Sequence, residues 1–311
     1  MKQRIINKVN AEGYIFDVEG NFREVNNPES PRNGQEFFSG KVQLALDKEG
    51  TNVVPFSIFV FGKTKSGSAN KTFELLKKCV EKQLTMASGS ENPIMVSING
   101  SLSLNDFYSV ANEEMISAKE IRATFVSEIR SFAKKEPFVD IEVDMFINSV
   151  QTVEENEDRG IQEHTRINGA VFNDYSKEIY PFSFDVEVPD GRNYFESLGV
   201  SNSEPVFMKV FGTFKNNVKK VDVEEETAFG TPVVRTVERK TKQWIVNSAT
   251  PPYDFGLEEV LTLDEVKEAT QKRNIKLEKI KQEAIEYANA PKASASSNSV
   301  NSVADGEIPL F

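Results

Sequence analysis

Val54-Pro55-Phe56-Ser57 returns as Tyr180-Pro181-Phe182-Ser183, and that echo decides how the chain is read. Each copy sits in an alternating, phenylalanine-rich run: Val53–Phe61 is VVPFSIFVF and Ile179–Val188 is IYPFSFDVEV. Period-two alternation broken by Gly, Asn, Asp and Pro marks half-buried strands. The echo extends in both directions. Upstream, Phe38-Ser39-Gly40-Lys41-Val42 matches Ile167-Asn168-Gly169-Ala170-Val171. Downstream, Phe73-Glu74-Leu75-Leu76 matches Phe195-Glu196-Ser197-Leu198, and Pro93–Gly100 matches Pro205–Gly212. The offsets shrink in order: 129 residues for Gly40/Gly169, 126 for Pro55/Pro181, 122 for Phe73/Phe195 and 112 for Gly100/Gly212. Four blocks in one order, with longer loops and a longer helix in one copy, are the mark of an internal duplication.

Working outward, each copy reads strand, strand, strand, helix, strand, strand. In the first, the strands fall in Ile5–Phe16, Phe37–Leu46, Val53–Phe61, Ile94–Leu104 and Glu120–Ile129, with the helix over Asn70–Leu84. In the second they fall in Phe138–Val150, His164–Phe172, Ile179–Val188, Val206–Phe214 and Val233–Ser248, with a short helix near Asn193–Leu198. A helix between strands three and four of a five-stranded unit is the order of the OB-fold, a small, partly open barrel. The expected fold class is therefore mainly β: two OB-fold-like five-stranded barrels, a C-terminal helix and a disordered tail. The implied domains are 1–132, 133–256, 257–288 and 289–311. The helix over Thr262–Tyr287 is charged and only partly amphipathic, which suits a solvent-facing spacer; packing on the second barrel or self-association are the alternatives.

Composition excludes several classes. The 311 residues carry a net charge of −11 and contain one Cys (Cys79), one His (His164) and one Trp (Trp244). A lone cysteine forms no disulfide framework, and one Cys with one His cannot complete a structural zinc site. No run approaches the ~18 apolar residues of a membrane span, and the first residues do not resemble a signal peptide, so a cytoplasmic protein without membrane contact is expected. No GxxxxGK[ST] or GxGxxG loop occurs, and no cofactor is implied. His164 begins a strand and is expected to be exposed. Asp140, Glu142 and Asp144 alternate along Val139–Phe146 and in principle suit a metal-dependent nuclease. Carboxylates spaced this way are more commonly the wet face of a strand, and the first copy has no counterpart.

Beyond Tyr287 the composition shifts to Ala, Ser and Asn, as in NAPKASASSNSVNSVADG, which cannot bury enough surface to fold. The chain then ends Asp305-Gly306-Glu307-Ile308-Pro309-Leu310-Phe311. An apolar tip with acidic neighbours on a tether has the form of a peptide ligand for a partner's basic, apolar pocket. This tip resembles the acidic C-terminal tail of bacterial and bacteriophage single-stranded DNA-binding proteins, whose usual ending is several Asp followed by Ile-Pro-Phe. The duplicated β units resemble phage members of that group with tandem OB-folds. The resemblance implies sequence-independent binding and protection of single-stranded DNA during replication and recombination, without catalysis. It also implies recruitment of replication or repair proteins through Asp305, Glu307, Ile308, Pro309, Leu310 and Phe311.

Single-strand binders place cations along the backbone path and aromatic faces under the bases. On the fifth strand of the second copy, alternation sets Lys240, Lys242 and Trp244 on one side and Arg235 and Arg239 on the other, although a lone Trp also suits the core. On the fourth strand, Phe207, Lys209 and Phe211 oppose the apolar Val206, Met208 and Val210, giving either an exposed binding face or a second packed layer. Lys215 follows. In the first copy, Phe59 and Phe61 lie opposite Phe56, Ile58 and Val60, with Lys63 and Lys65 in the next loop and Phe107 and Tyr108 after strand four. A net charge of −11 confines such binding to a local basic and aromatic groove. The competing reading is a structural or adaptor protein of a phage, built from duplicated β barrels.

Overall fold

The computed structural model describes residues 5–156, 162–173, 177–225, 233–254 and 261–289. Among the described residues, ten strands and three helices follow in the order β1 (Asn7–Glu24), β2 (Glu36–Ala45), β3 (Val53–Phe61), α1 (Lys71–Glu81), β4 (Met95–Ser109) and β5 (Glu114–Glu128). The second copy contains β6 (Phe138–Val153), β7 (His164–Asn173), β8 (Glu178–Val186), α2 (Pro189–Ser197), β9 (Val206–Glu225) and β10 (Val233–Ala249), and α3 (Leu263–Asn289) follows. Strands neighbour one another in the order β2-β3-β5-β4-β1 and β6-β7-β8-β10-β9, and the pairings β1–β2 and β6–β9 close each set into a barrel. β3 pairs with β5, and β8 with β10, in parallel. This is the OB topology twice. The tail and its tip from Asp305 to Phe311 lie outside the described residues.

The repeated motif residues answer to close backbone approach. A Cβ on Gly40 would meet the Glu19 carbonyl oxygen at 2.1 Å, and one on Gly169 would meet that of Phe146 at 1.9 Å. Both glycines let the second strand of a copy cross tightly over its first. Gly100 and Gly212 face the Arg122 and Ile245 carbonyl oxygens in the same manner, at 2.4 and 2.5 Å. Pro55 lies across from Gln43 on β2 and Pro181 across from Ala170 on β7, at matching places in the third strand of each copy.

The two barrels share one core. β1 and β6 pair antiparallel, with Val9 across from Ile141 and Ala11 across from Val139, and all four join one apolar cluster. That cluster runs from Phe38, Phe56 and Leu76 in barrel one to Phe184, Phe195 and Met208 in barrel two. α1 closes the end of barrel one. Asn70 caps it by accepting from the Thr72 N–H, and Thr72 Oγ1 donates to the Val126 carbonyl at 3.0 Å.

Two strands are far longer than their apolar runs suggest. β4 pairs β1 only over Met95–Gly100 and then continues with β5 as a two-stranded ribbon to Ser109. β9 likewise leaves β6 at Gly212 and continues with β10 to Glu225. Each ribbon reaches the opposite barrel. Lys119 on β5 donates to the Ser183 carbonyl of β8, and Asn216 on β9 donates to the Val53 carbonyl at the start of β3.

α3 is not a solvent-facing spacer. It spans both barrels. Its Arg273 is 4% exposed and donates to both carboxylate oxygens of Asp106 on β4, at 3.0 and 2.7 Å, and to Ser117 Oγ at 3.2 Å. Lys276 pairs with Glu178 of β8 at 2.8 Å. Leu261 and Ala269 pack on Phe172, Ile179 and Phe207, on the outside of barrel two. The sequence looked polar because the residue that anchors the helix is itself charged. No helix among the described residues is long and apolar enough to cross a membrane.

Candidate nucleic-acid interface

The β2–β3 ladder fixes what barrel one shows to solvent. Phe38, Val42, Leu44, Val54, Phe56, Ile58 and Val60 point into the core. The alternate residues line the outside, with Phe37 across from Phe61, Ser39 from Phe59 and Lys41 from Ser57. The three phenyl rings form one cluster: Phe37 and Phe59 lie 5.3 Å apart at 32°, and Phe59 meets Phe61 edge-on at 5.0 Å. Phe59 remains 41% exposed. The Arg32 guanidinium sits 3.9 Å over Phe61, a cation on an aromatic face. Exposed Arg23 and Lys41 flank the cluster on β1 and β2, and Arg122 of β5 stands beside Ser57.

Beyond Phe61 the face runs into a groove of about 760 Å³ between the β1–β2 loop and the β3–α1 loop. Arg32, Lys63, Lys65, Lys77 and Phe73 line it, and its two carboxylates are Glu36 and Glu74. Lys77 is held by Glu36 at 3.1 Å. Lys63 and Lys65 are exposed. The chemistry is that of a stacking platform leading to a cationic trough.

The remaining candidates divide. Trp244 is half-buried, with its ring 5.0 Å from Phe182 and 4.7 Å from Phe214, and it packs against the core. Lys242 and Arg235 are exposed on β10. Arg239 and Lys240 belong to the β9–β10 ribbon, across from Lys219 and Val218, but their side chains lie outside the described residues. Phe207 is a correction: it is 2% exposed, covered by Leu261, Ala269 and Tyr253, so the exposed-face reading of Phe207-Lys209-Phe211 gives way to a packed layer. Lys209 of that set is tied to Glu142 at 3.0 Å, and Phe211 is half-buried. Lys215 lies 3.5 Å from Glu187. Phe107 is 43% exposed near the end of the β4–β5 ribbon, and Tyr108 sits under Lys281 of α3 at 5.7 Å, both away from the barrel-one cluster.

Among the described residues, barrel two carries no matching aromatic patch. Three residues before the repeat glycine, barrel one has the Phe37–Phe61 pair, whereas barrel two has Arg166 across from Asp185. Arg166 Nε donates to Asp185 Oδ1 at 2.7 Å. His164 corrects its expected exposure: it is 4% exposed, 3.2 Å from the same carboxylate oxygen and 2.7 Å from the Gln162 carbonyl. α3 covers the other end of this face at Phe172 and Ile179.

The three alternating carboxylates are engaged separately. Asp140 pairs with Lys134 at 2.6 Å and Glu142 with Lys209. Asp144, expected on a wet face, is 5% exposed and accepts from the Ile6 N–H at 2.7 Å and Tyr253 Oη at 3.0 Å. Burial pushes its carboxyl up against those hydrogen bonds, and burial with the nearby Asp144 pushes Tyr253 up to about 12.

Sequence reasoning missed Phe37, Arg32, Lys41 and Arg122. Phe37 was legible, since Glu-Phe-Phe-Ser-Gly at 36–40 places one Phe on each face. Arg32 was not, because it lies in a loop that only the fold brings over Phe61.

Among solved structures, the chain resembles the wild-type single-stranded DNA binding protein from Thermus aquaticus at 12% identity and a TM-score of 0.41, covering 81% of this chain and 95% of that one. A deletion mutant of the same protein matches equally, with 96% of that chain covered. No curated protein matches the sequence. The YorF family model matches residues 7–283, from the first strand into the long C-terminal helix, and the chain belongs to that family.

Proposed function

We propose that this protein binds single-stranded DNA without sequence preference, and that the outer face of barrel one is its principal base-stacking surface. The observation that carries this is the Phe37–Phe59–Phe61 cluster under Arg32, on the outer β2–β3 face of a closed OB barrel, opening into a groove with Lys63 and Lys65. Half-exposed phenyl rings are costly in water, and each base offers a flat face to cover one. The cations beside them meet the phosphates. A duplex hides its base faces, so this surface favours single strands. The role is binding and protection rather than catalysis. In replication and recombination, the tip Asp305–Phe311 would recruit replication or repair proteins while the barrels hold DNA.

Fluorescence anisotropy of a labelled oligo-dT, with a duplex of equal length in parallel, tests the reading. Saturable binding of the single strand at low salt, weakening steeply as salt rises and several-fold tighter than for the duplex, is the expected result. No binding of either, or preference for duplex, overturns it. Deleting residues 308–311 should leave DNA affinity unchanged and abolish capture of a partner; collapse of DNA binding would contradict the assignment of the tip.

A further inference from the structure

We infer that Lys119, Arg166 and Ser183 form a phosphate-binding station at the junction of the two barrels, taking a backbone phosphodiester of a single strand that leaves the barrel-one face. The inference rests on the single-strand reading above and adds the place where the strand crosses to barrel two.

Geometry comes first. Lys119 belongs to the β4–β5 ribbon of barrel one but donates to the Ser183 carbonyl and hydroxyl on β8 of barrel two. Its ammonium also lies 4.8 Å over the Phe182 ring. Ser183 is across from Asn168 on the outer β7–β8 face, and Arg166 is the next outward residue along β7. Arg166 retains 39% of its side-chain exposure although its Nε is bound to Asp185 and its Nη2 lies 3.4 Å from His164 Nε2. Among the described residues, Asp185 is the one carboxylate in contact with either cation, and it is shared with His164.

Two cations therefore converge beside one carboxylate. Burial and the neighbouring Arg166 push the Lys119 ammonium down to about 8, with Asp185 opposing. Such a site gains most from an added anion. A phosphate would accept from the Lys119 ammonium, the exposed edge of the Arg166 guanidinium and the Ser183 hydroxyl. β5 links the two places along the chain: Arg122, beside Ser57 on the barrel-one face, comes three residues after Lys119 and on the alternate side of the strand. The register comparison gives the same division: where barrel one holds the Phe37–Phe61 pair, barrel two holds Arg166 and Asp185. Barrel one stacks bases and the junction binds backbone.

The test is the salt dependence of oligo-dT affinity for the full chain, with Lys119→Gln, Arg166→Ala and the charge-keeping Lys119→Arg. Losing one phosphate contact lowers the slope of log K against log salt by roughly 0.7 for a single strand. Lys119→Gln and Arg166→Ala should each do so and weaken binding several-fold at low salt, whereas Lys119→Arg keeps the native slope. Thermal unfolding confirms that each variant folds; Lys119→Gln retains a donor for Ser183 and so guards against a merely structural loss. Native slopes in both charge-removing variants, with the unmodified protein still binding, overturn the station and leave the function standing. Failure of the unmodified protein to bind any oligonucleotide overturns both.

Discussion

Replacing Arg273 with Ala isolates what holds the long helix across the barrels. The ion pair it removes has side chains only 5% and 3% exposed, so neither charge has water to fall back on. Asp106 would keep a hydrogen bond from Ser117 Oγ at 2.6 Å and lose both guanidinium contacts. Stripping one partner from a buried pair costs about 3–5 kcal/mol, because the remaining charge stays desolvated. That is a large share of a domain's typical ~5–15 kcal/mol. If the cost falls on helix docking alone, the docked population shifts by roughly 100-fold or more. Urea unfolding and amide hydrogen exchange of α3 measure the two parts. The expected result is a loss of several kcal/mol, or α3 exchanging much faster while the barrels keep their protection. Asp106→Leu combined with Arg273→Met should regain part of the loss, since no unpaired charge remains. A cost below ~1 kcal/mol with α3 exchange unchanged would refute the buried pair as the anchor.

Phe59→Ala should weaken oligo-dT binding by about 1–3 kcal/mol in a titration, a typical stacking contribution, with a smaller loss of stability because the ring is already 41% exposed. Gly40→Ala should destabilise by about 3 kcal/mol or more in urea unfolding, because its Cβ would lie 2.1 Å from the Glu19 carbonyl oxygen and backbone must move. Lys119, at about 8 when folded against an ordinary 10.5, makes stability rise with pH between those values, since there the unfolded chain holds a proton that the folded chain lacks. Lys119→Met should flatten the rise from pH 8 to 9; above that, buried Cys79, pushed up to about 11, and then Tyr253, pushed up to about 12, work in the opposite direction.

The duplication was legible because its signals are backbone requirements. Gly40, Gly169, Gly100 and Gly212 stand where no Cβ fits. These constraints act locally, so they survive in the sequence. The ribbons were not legible to their full length. Asn105–Ser109 carries no apolar alternation, because the face that α3 covers there presents Asp106 and Tyr108 rather than aliphatic side chains. Phe207 misled because its cover, α3, comes from more than fifty residues later in the chain. His164 and Asp144 misled because a polar residue can be buried once its partner arrives from another strand or segment, here Asp185 on β8 and Tyr253 after β10. Half of the interface was visible in Phe59, Phe61, Lys63 and Lys65. Phe37 could be read from its own strand, whereas Arg32 and Arg122 needed the barrel to close.

Photo-crosslinking of a 5-iodouracil-substituted oligonucleotide, with the attached residues identified by mass spectrometry, reads out which side chains the bases touch. If barrel one stacks the bases, crosslinks fall on Phe37, Phe59 and Phe61 and are lost when unlabelled oligo-dT competes. Crosslinks confined to barrel two or to α3, with the barrel-one cluster unmodified, would contradict it.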